Sequence, residues 1–149
     1  MTSPTVLYIE DHPDNMTLVR RILQSESYTL IEAKTGLQGI FFAETEDVDL
    51  ILLDINLPDI DGYEVARRLR VSKKNRLAEI PIIAVTANAM KDDQEKCLSA
   101  GAVTANAMKG DHQRILDSGC NFYIAKPINI QELLDKVEGL ISEGSMRLR

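Results

Sequence analysis

Five short runs of β-branched and apolar residues, each followed by a segment with helical spacing, constrain this chain more than any other feature. The runs are Thr5–Ile9, 28–33, 48–55, 80–86 and Phe122–Ala125. The third is nearly continuous in apolar residues, as expected of a parallel strand covered on both faces. Between the runs, apolar residues recur at intervals of three and four: Leu18, Val19, Ile22 and Leu23, then Leu37, Ile40 and Phe41, then Val65, Ala66 and Leu69, and last Val137, Leu140 and Ile141. Helix starts are marked too. Thr35 with Gln38 forms a capping box, Asp61 and Glu64 cap the helix after the third strand, and Asn129 with Glu132 caps the last one, whose Leu133 staples back to Ile128. Strands alternating with helices predict an α/β fold, a doubly wound parallel five-stranded sheet, because right-handed crossovers lay helices on both faces.

The chain has 149 residues, 44% hydrophobic and 27% charged, enough for one domain with a substantial core. A single domain over 1–149 is expected, with its core at 5–142 and a frayed tail at 144–149. The net charge is −6 and the 17 Lys and Arg are scattered, which argues against a direct nucleic-acid partner. The apolar runs are of strand length and far too short to span a membrane. Cys97 and Cys120 match neither a metal-site nor a disulfide-framework spacing, and the N-terminus lacks a secretory pattern, so a reducing, cytoplasmic setting is expected.

Polar residues of particular kinds stand where strands end: Glu10 and Asp11 after the first, Asp54 after the third, Thr86 after the fourth and Lys126 after the fifth. In open α/β sheets ligands bind beyond the carboxyl ends of the strands. Singly, these residues read as a solvated turn, a helix approach or a snorkelling lysine. In this order at successive strand ends, they read as one site.

The stretches Tyr8-Ile-Glu-Asp11, Leu52-Leu-Asp-Ile-Asn-Leu-Pro58 with Asp61-Gly62, Ala84-Val-Thr86 and Ala125-Lys-Pro127 resemble the receiver domain of two-component response regulators, of the CheY-like kind. The resemblance runs from about residue 5 to 142. It implies the strand order 2-1-3-4-5 and a phosphoacceptor role for Asp54, which would take a phosphoryl group from a histidine kinase or a histidine phosphotransfer protein. It also implies Mg²⁺ on Asp11, Asp54 and the backbone carbonyl of Asn56, with Glu10 acting largely through water; clustered carboxylates suit a hard, oxygen-seeking dication. Lys126 and Thr86 would contact the phosphoryl oxygens, Tyr123 would be the switch aromatic that alters binding of a downstream protein target, and a cis bond before Pro127 would aim the lysine. Such a domain signals and is not an enzyme in the ordinary sense. The alternative from another class is a Mg²⁺-dependent phosphohydrolase of the haloacid-dehalogenase type. Those enzymes need a second acid two residues after the nucleophile, and Asn56 stands there.

One feature departs from the family. Residues 84–101 (AVTANAMKDDQEKCLSAG) are followed directly by 102–119 (AVTANAMKGDHQRILDSG), with the first eight residues identical, whereas a receiver needs this segment once. Thr86 is favoured over Thr104 because only the first copy follows a strand-forming run. An extra strand made by 102–105 between the fourth and fifth would move Lys126 about 4.8 Å farther from Asp54 and yield an inactivated, receiver-like scaffold. A continuous helix through both copies would keep its phase over five turns and carry the last strand and helix away, predicting a domain-swapped dimer rather than a monomer. Gly101 and Gly110 favour a broken or bent excursion instead.

Overall fold

The computed structural model describes residues 4–86 and 117–147. Five parallel strands, β1 (Thr5–Ile9), β2 (Thr29–Ala33), β3 (Leu50–Asp54), β4 (Ile82–Thr86) and β5 (Phe122–Ala125), form one sheet in the order β2-β1-β3-β4-β5. Helices α1 (Pro13–Ser25), α2 (Gly36–Thr45), α3 (Gly62–Arg70) and α4 (Ile130–Arg147) cover it, with a short 3-10 turn at Asn75–Ala78.

Alternation along the strands sends successive side chains to opposite faces and so builds two apolar layers. Leu7, Ile9, Ile51, Leu53, Ile82 and Ala84 point toward α2 and α3, meeting Ala43, Val65, Ala66 and Leu69. Val6, Tyr8, Leu50, Leu52, Ile83 and Ile124 point toward α1 and α4, meeting Val19, Ile22, Leu23, Leu133 and Val137. All five residues of β3 are buried, the signature of the central strand.

Three local expectations need correction. Leu18 is exposed at 38%, and Met16 takes its place in the core. In α2 the inward face is not Leu37 and Phe41, which are 54% and 60% exposed, but Gly36, Gly39 and Ala43. The physical reason is close approach: a Cβ on Gly39 would lie 2.3 Å from Ile9 Cδ1, so the helix can lie against β1 only on its glycine side. The tail expected to fray at 144 continues α4 to Arg147 instead. The caps at Asp61 and Asn129 form as read, each side-chain oxygen accepting from a backbone amide, that of Glu64 at 2.8 Å and of Glu132 at 2.9 Å. Thr35 accepts from the Gln38 amide at 3.0 Å, but the Gln38 side chain accepts from the Lys34 amide, not from that of Thr35.

β4 pairs β5 directly, with Ile83 opposite Phe122 and Thr86 opposite Ala125. No strand intervenes, so the arrangement that would have distanced Lys126 is not the one adopted. β5 forms the edge of the sheet beside β4, and α4 packs Leu133 and Val137 against one face. The expectations for the path of 87–116, including Thr104 and the broken or continuous helix, lie outside the described residues.

Candidate functional site

Because all strands are parallel, the polar residues that end them share one edge of the sheet. Glu10 and Asp54 are each 1% exposed and Thr86 is 5% exposed, while Asp11 is open to solvent. Carboxylate oxygens of Glu10, Asp11 and Asp54 lie within 4.8 Å of one another. Lys126 closes the group, its Nζ 3.2 Å from Asp54 Oδ2 and 3.3 Å from Glu10 Oε2. The peptide bond that follows it, Lys126–Pro127, is cis. Residues far apart in sequence thus meet because each sits at or next to the end of a strand.

Glu10 is held on both oxygens. The Tyr8 hydroxyl donates to Oε2 at 3.1 Å and the His12 amide donates to Oε1 at 3.1 Å. Burial, then the charge of Glu10, push the Tyr8 hydroxyl far above its ordinary range, so it remains a donor. For Asp54, burial and next the charge of Glu10 outweigh the opposing Lys126 ammonium and raise its carboxyl to about 7. The Asn56 amide, donating to Asp54 Oδ1 at 3.1 Å, partly offsets this. Three acids against one lysine leave an excess of negative charge in a largely dehydrated place. All-oxygen donors with that excess suit a hard divalent cation.

The position of Asp54 is fixed by close packing. The Gly62 amide donates to the Ile55 carbonyl at 2.8 Å, and a Cβ on Gly62 would fall 2.6 Å from the Asp54 carbonyl oxygen. Only glycine lets α3 start so near the acid.

Thr86 and Tyr123 lie on one face of the sheet. Ile82 and Ala84 of β4 face the α2 and α3 layer, so alternation puts Thr86 on that face too. Tyr123 stands opposite Ala84 and packs half-buried into the same layer. Burial, then the charge of Glu132, raise its hydroxyl pKa. Thr86 stands opposite Ala125, two residues along the strand pair from Tyr123. Asn56 is exposed, and its backbone amide donates to Asp54 Oδ1.

Sequence reasoning missed three supporting groups. Tyr8 counts in the sequence as a strand residue and as part of the stretch Tyr8-Ile-Glu-Asp11, not as a partner of Glu10, although its i, i+2 relation to Glu10 puts both on one face. His12 caps α1, its Nδ1 accepting from the Asp14 amide at 3.3 Å, where only an acidic turn was foreseen. Asp59 caps α2 from a distant loop, accepting from the Gly36 and Leu37 amides at 2.8 Å each, and no local signal announces that.

Comparison with known proteins agrees with this geometry. The family model described as the response regulator receiver domain matches residues 6–105, ending four residues into the second repeat copy. The polar-differentiation response regulators DivK of Brucella ovis and Brucella suis are 33% identical over 140 residues, covering 94% of this chain and 98% of those proteins. Among solved structures, a CheY-like receiver domain from Methanospirillum hungatei JF-1 superimposes with a TM-score of 0.77 at 25% identity, over 98% of this chain and 99% of that one. The receiver domain of the Pseudomonas aeruginosa PAO1 sensor histidine kinase PA1611, with a magnesium ion coordinated in its active-site cleft, gives 0.72 at 33% identity, over 95% and 99%. The strand order, the cluster of acids with its lysine and these likenesses agree, and the chain belongs to the response regulator receiver domain family, the signalling modules of two-component systems.

Proposed function

We propose that Asp54 is the phosphoacceptor of this receiver, taking a phosphoryl group from a histidine kinase or a histidine phosphotransfer protein. The observation that carries this reading is the Lys126 ammonium 3.2 Å from Asp54 Oδ2 at the mouth of a three-carboxylate cluster. An Asp54 carboxylate oxygen forms a bond to phosphorus while the phosphorus–nitrogen bond of the phosphohistidine breaks and the imidazole leaves, giving an acyl phosphate. Lys126 offers a point positive charge and Thr86 a hydroxyl donor to the arriving phosphoryl oxygens, a stabilisation that grows as charge arrives.

The donor set fits Mg²⁺, with Asp11, Asp54 and the Asn56 carbonyl as ligands and Glu10 acting through water. When bound, the ion neutralises charge between the two anions that must approach each other. Contacts of Thr86 and Lys126 that exist only in the phosphorylated state supply the differential interaction a switch requires. Tyr123, on the same face as Thr86, is then the switch residue read by a downstream protein target. The whole chain, 1–149, is read as one such domain, cytoplasmic and either a monomer or a domain-swapped dimer, with 102–119 a duplicate of the segment before it. Among the described residues no helix is long and apolar enough to cross a membrane.

The family assignment, and Asn56 where a phosphohydrolase needs an acid, favour this reading over the haloacid-dehalogenase-type alternative. The test is incubation with acetyl phosphate and Mg²⁺, parent beside Asp54→Asn. Stoichiometric label on the parent and none on the variant is the expected result. Label on both refutes the acceptor assignment, and a folded parent that takes no label is the inactivated scaffold.

A further inference from the structure

Among the described residues the repeat ends at the loop that leads into β5, and that loop is held from an unexpected direction. Arg70, the last residue of α3, reaches across with three donors: Nε to the Gly119 carbonyl at 2.9 Å, Nη1 to the Leu77 carbonyl at 3.0 Å, and Nη2 to Asn121 Oδ1 at 2.8 Å. All three acceptors are neutral oxygens. Asn121 in turn bonds Ile82 at the start of β4 twice, its amide donating to the Ile82 carbonyl at 2.8 Å and its Oδ1 accepting from the Ile82 amide at 2.8 Å. Gly119 has φ of +108°, and a Cβ there would lie 2.6 Å from Arg70 Cγ, so the guanidinium stem and the glycine are fitted to each other. Gly101, which closes the first repeat copy, is the equivalent residue one copy earlier.

We propose that Arg70 and Asn121 form a clasp that fixes the register of β5 on β4 and thereby positions Lys126 at Asp54 despite the duplicated segment. This rests on the function proposed above. Asn121 opposite Ile82 starts the register that runs through Ile83–Phe122 to Thr86–Ala125, and it ends with the Lys126 amide donating to the Thr86 carbonyl at 2.8 Å. A slip of one residue turns every β5 side chain to the wrong face, and a slip of two moves Lys126 by about 6.6 Å along the strand, out of reach of Asp54. The second copy makes the connection between β4 and β5 roughly twice as long. By chain length alone this lowers the probability of closing it correctly by about threefold. Arg70 is a positioning residue, acting through Asn121 and the strand, and it touches neither phosphate nor metal.

The deciding experiment compares Arg70→Met in the full chain and in a chain lacking 102–119, where Gly101 takes the place of Gly119 before Cys120. In the full chain, Arg70→Met is expected to lower the maximal rate of Asp54 labelling by acetyl phosphate about tenfold, with the half-saturating donor concentration unchanged. In the shortened chain, whose closure is about threefold more probable, the loss is expected to fall to about fourfold. Equal losses in both chains make Arg70 merely structural and overturn the proposal, as does no loss in the full chain. If neither parent is labelled, the function reading fails and hydrogen exchange at the Phe122–Ala125 amides decides. Exchange that Arg70→Met speeds more in the full chain than in the shortened one supports the clasp, and the same change in both chains, or none, refutes it. Arg70→Lys, which keeps the charge but not the three-donor fork, makes the same comparison if Arg70→Met does not fold. Within the full chain, a raised half-saturation with an unchanged maximal rate also overturns the proposal.

Discussion

Gly62→Ala is the smallest change that should disturb both stability and the site, because the added methyl meets backbone and not a flexible side-chain end. Its Cβ would stand 2.6 Å from the Asp54 carbonyl oxygen, 2.6 Å from Ile55 Cα and 2.9 Å from Ile55 Cδ1. Reaching an ordinary contact of about 3.5 Å requires the start of α3 to back away by nearly 1 Å. That stretches the 2.8 Å hydrogen bond from the Gly62 amide to the Ile55 carbonyl. Overpacking of this kind costs about 1–3 kcal/mol, which for a chain of this size lowers Tm by about 3–9 °C. The same substitution at Gly139 has the opposite sign. A Cβ there meets nothing within 4 Å, on the exposed side of α4, so Gly139→Ala removes a helix penalty of about 1 kcal/mol and raises Tm by about 2–4 °C. Thermal melting followed by far-ultraviolet circular dichroism reads both, and labelling by acetyl phosphate reads the site, where only Gly62→Ala should slow the reaction. A Gly62→Ala Tm that rises or stays within about 1 °C of the parent would show that the loop between Ile55 and Gly62 is not packed as described, and a Gly139→Ala Tm that falls would refute the open helix position.

Lys126→Met removes a charge-assisted contact worth about 1.5–3 kcal/mol, so labelling of Asp54 should slow about 10- to 100-fold; an unchanged rate rules out the lysine as a phosphoryl contact. Asp59→Ala loses both bonds to the start of α2 and should cost about 1 kcal/mol at pH 7, measured by urea unfolding. Partial burial works against it, but the Leu37 and Gly36 amides hold the Asp59 carboxyl below its ordinary value. Its contribution is therefore complete above the unfolded pKa of about 3.9 and fades as pH falls through the lower folded value, so parent and variant should converge in acid. A gap that widens below pH 4 contradicts that sign. Burial, only partly offset by Ser118 and Arg70, raises the Cys120 thiol pKa. In a Cys97→Ser background, Cys120 should react with Ellman's reagent at pH 8 only as fast as the protein opens, and prompt reaction would mean that β5 is not sealed against the sheet. Light scattering should return the mass of one chain at high concentration, and a dimer would revive strand exchange through the repeat.

The sequence by itself determined the alternation of strands and helices, because periodicity and caps are local chemistry. The runs at Thr5–Ile9 and Phe122–Ala125 and the caps at Asp61 and Asn129 were legible for that reason. The grouping of Glu10, Asp11, Asp54 and Lys126 was legible as well, because a parallel sheet leaves its strand ends on one edge and chain order alone brings these side chains together. What only the tertiary structure decided are contacts between segments whose pairing no periodicity encodes. Helix α2 offered apolar residues on every side, and the steric fit of Gly39 against Ile9 chose which side faced inward. Asp59 and Arg70 reach partners 23 and 49 residues away, and Asn121 pairs with Ile82 at a separation of 39, distances over which only the packed sheet brings donors and acceptors together.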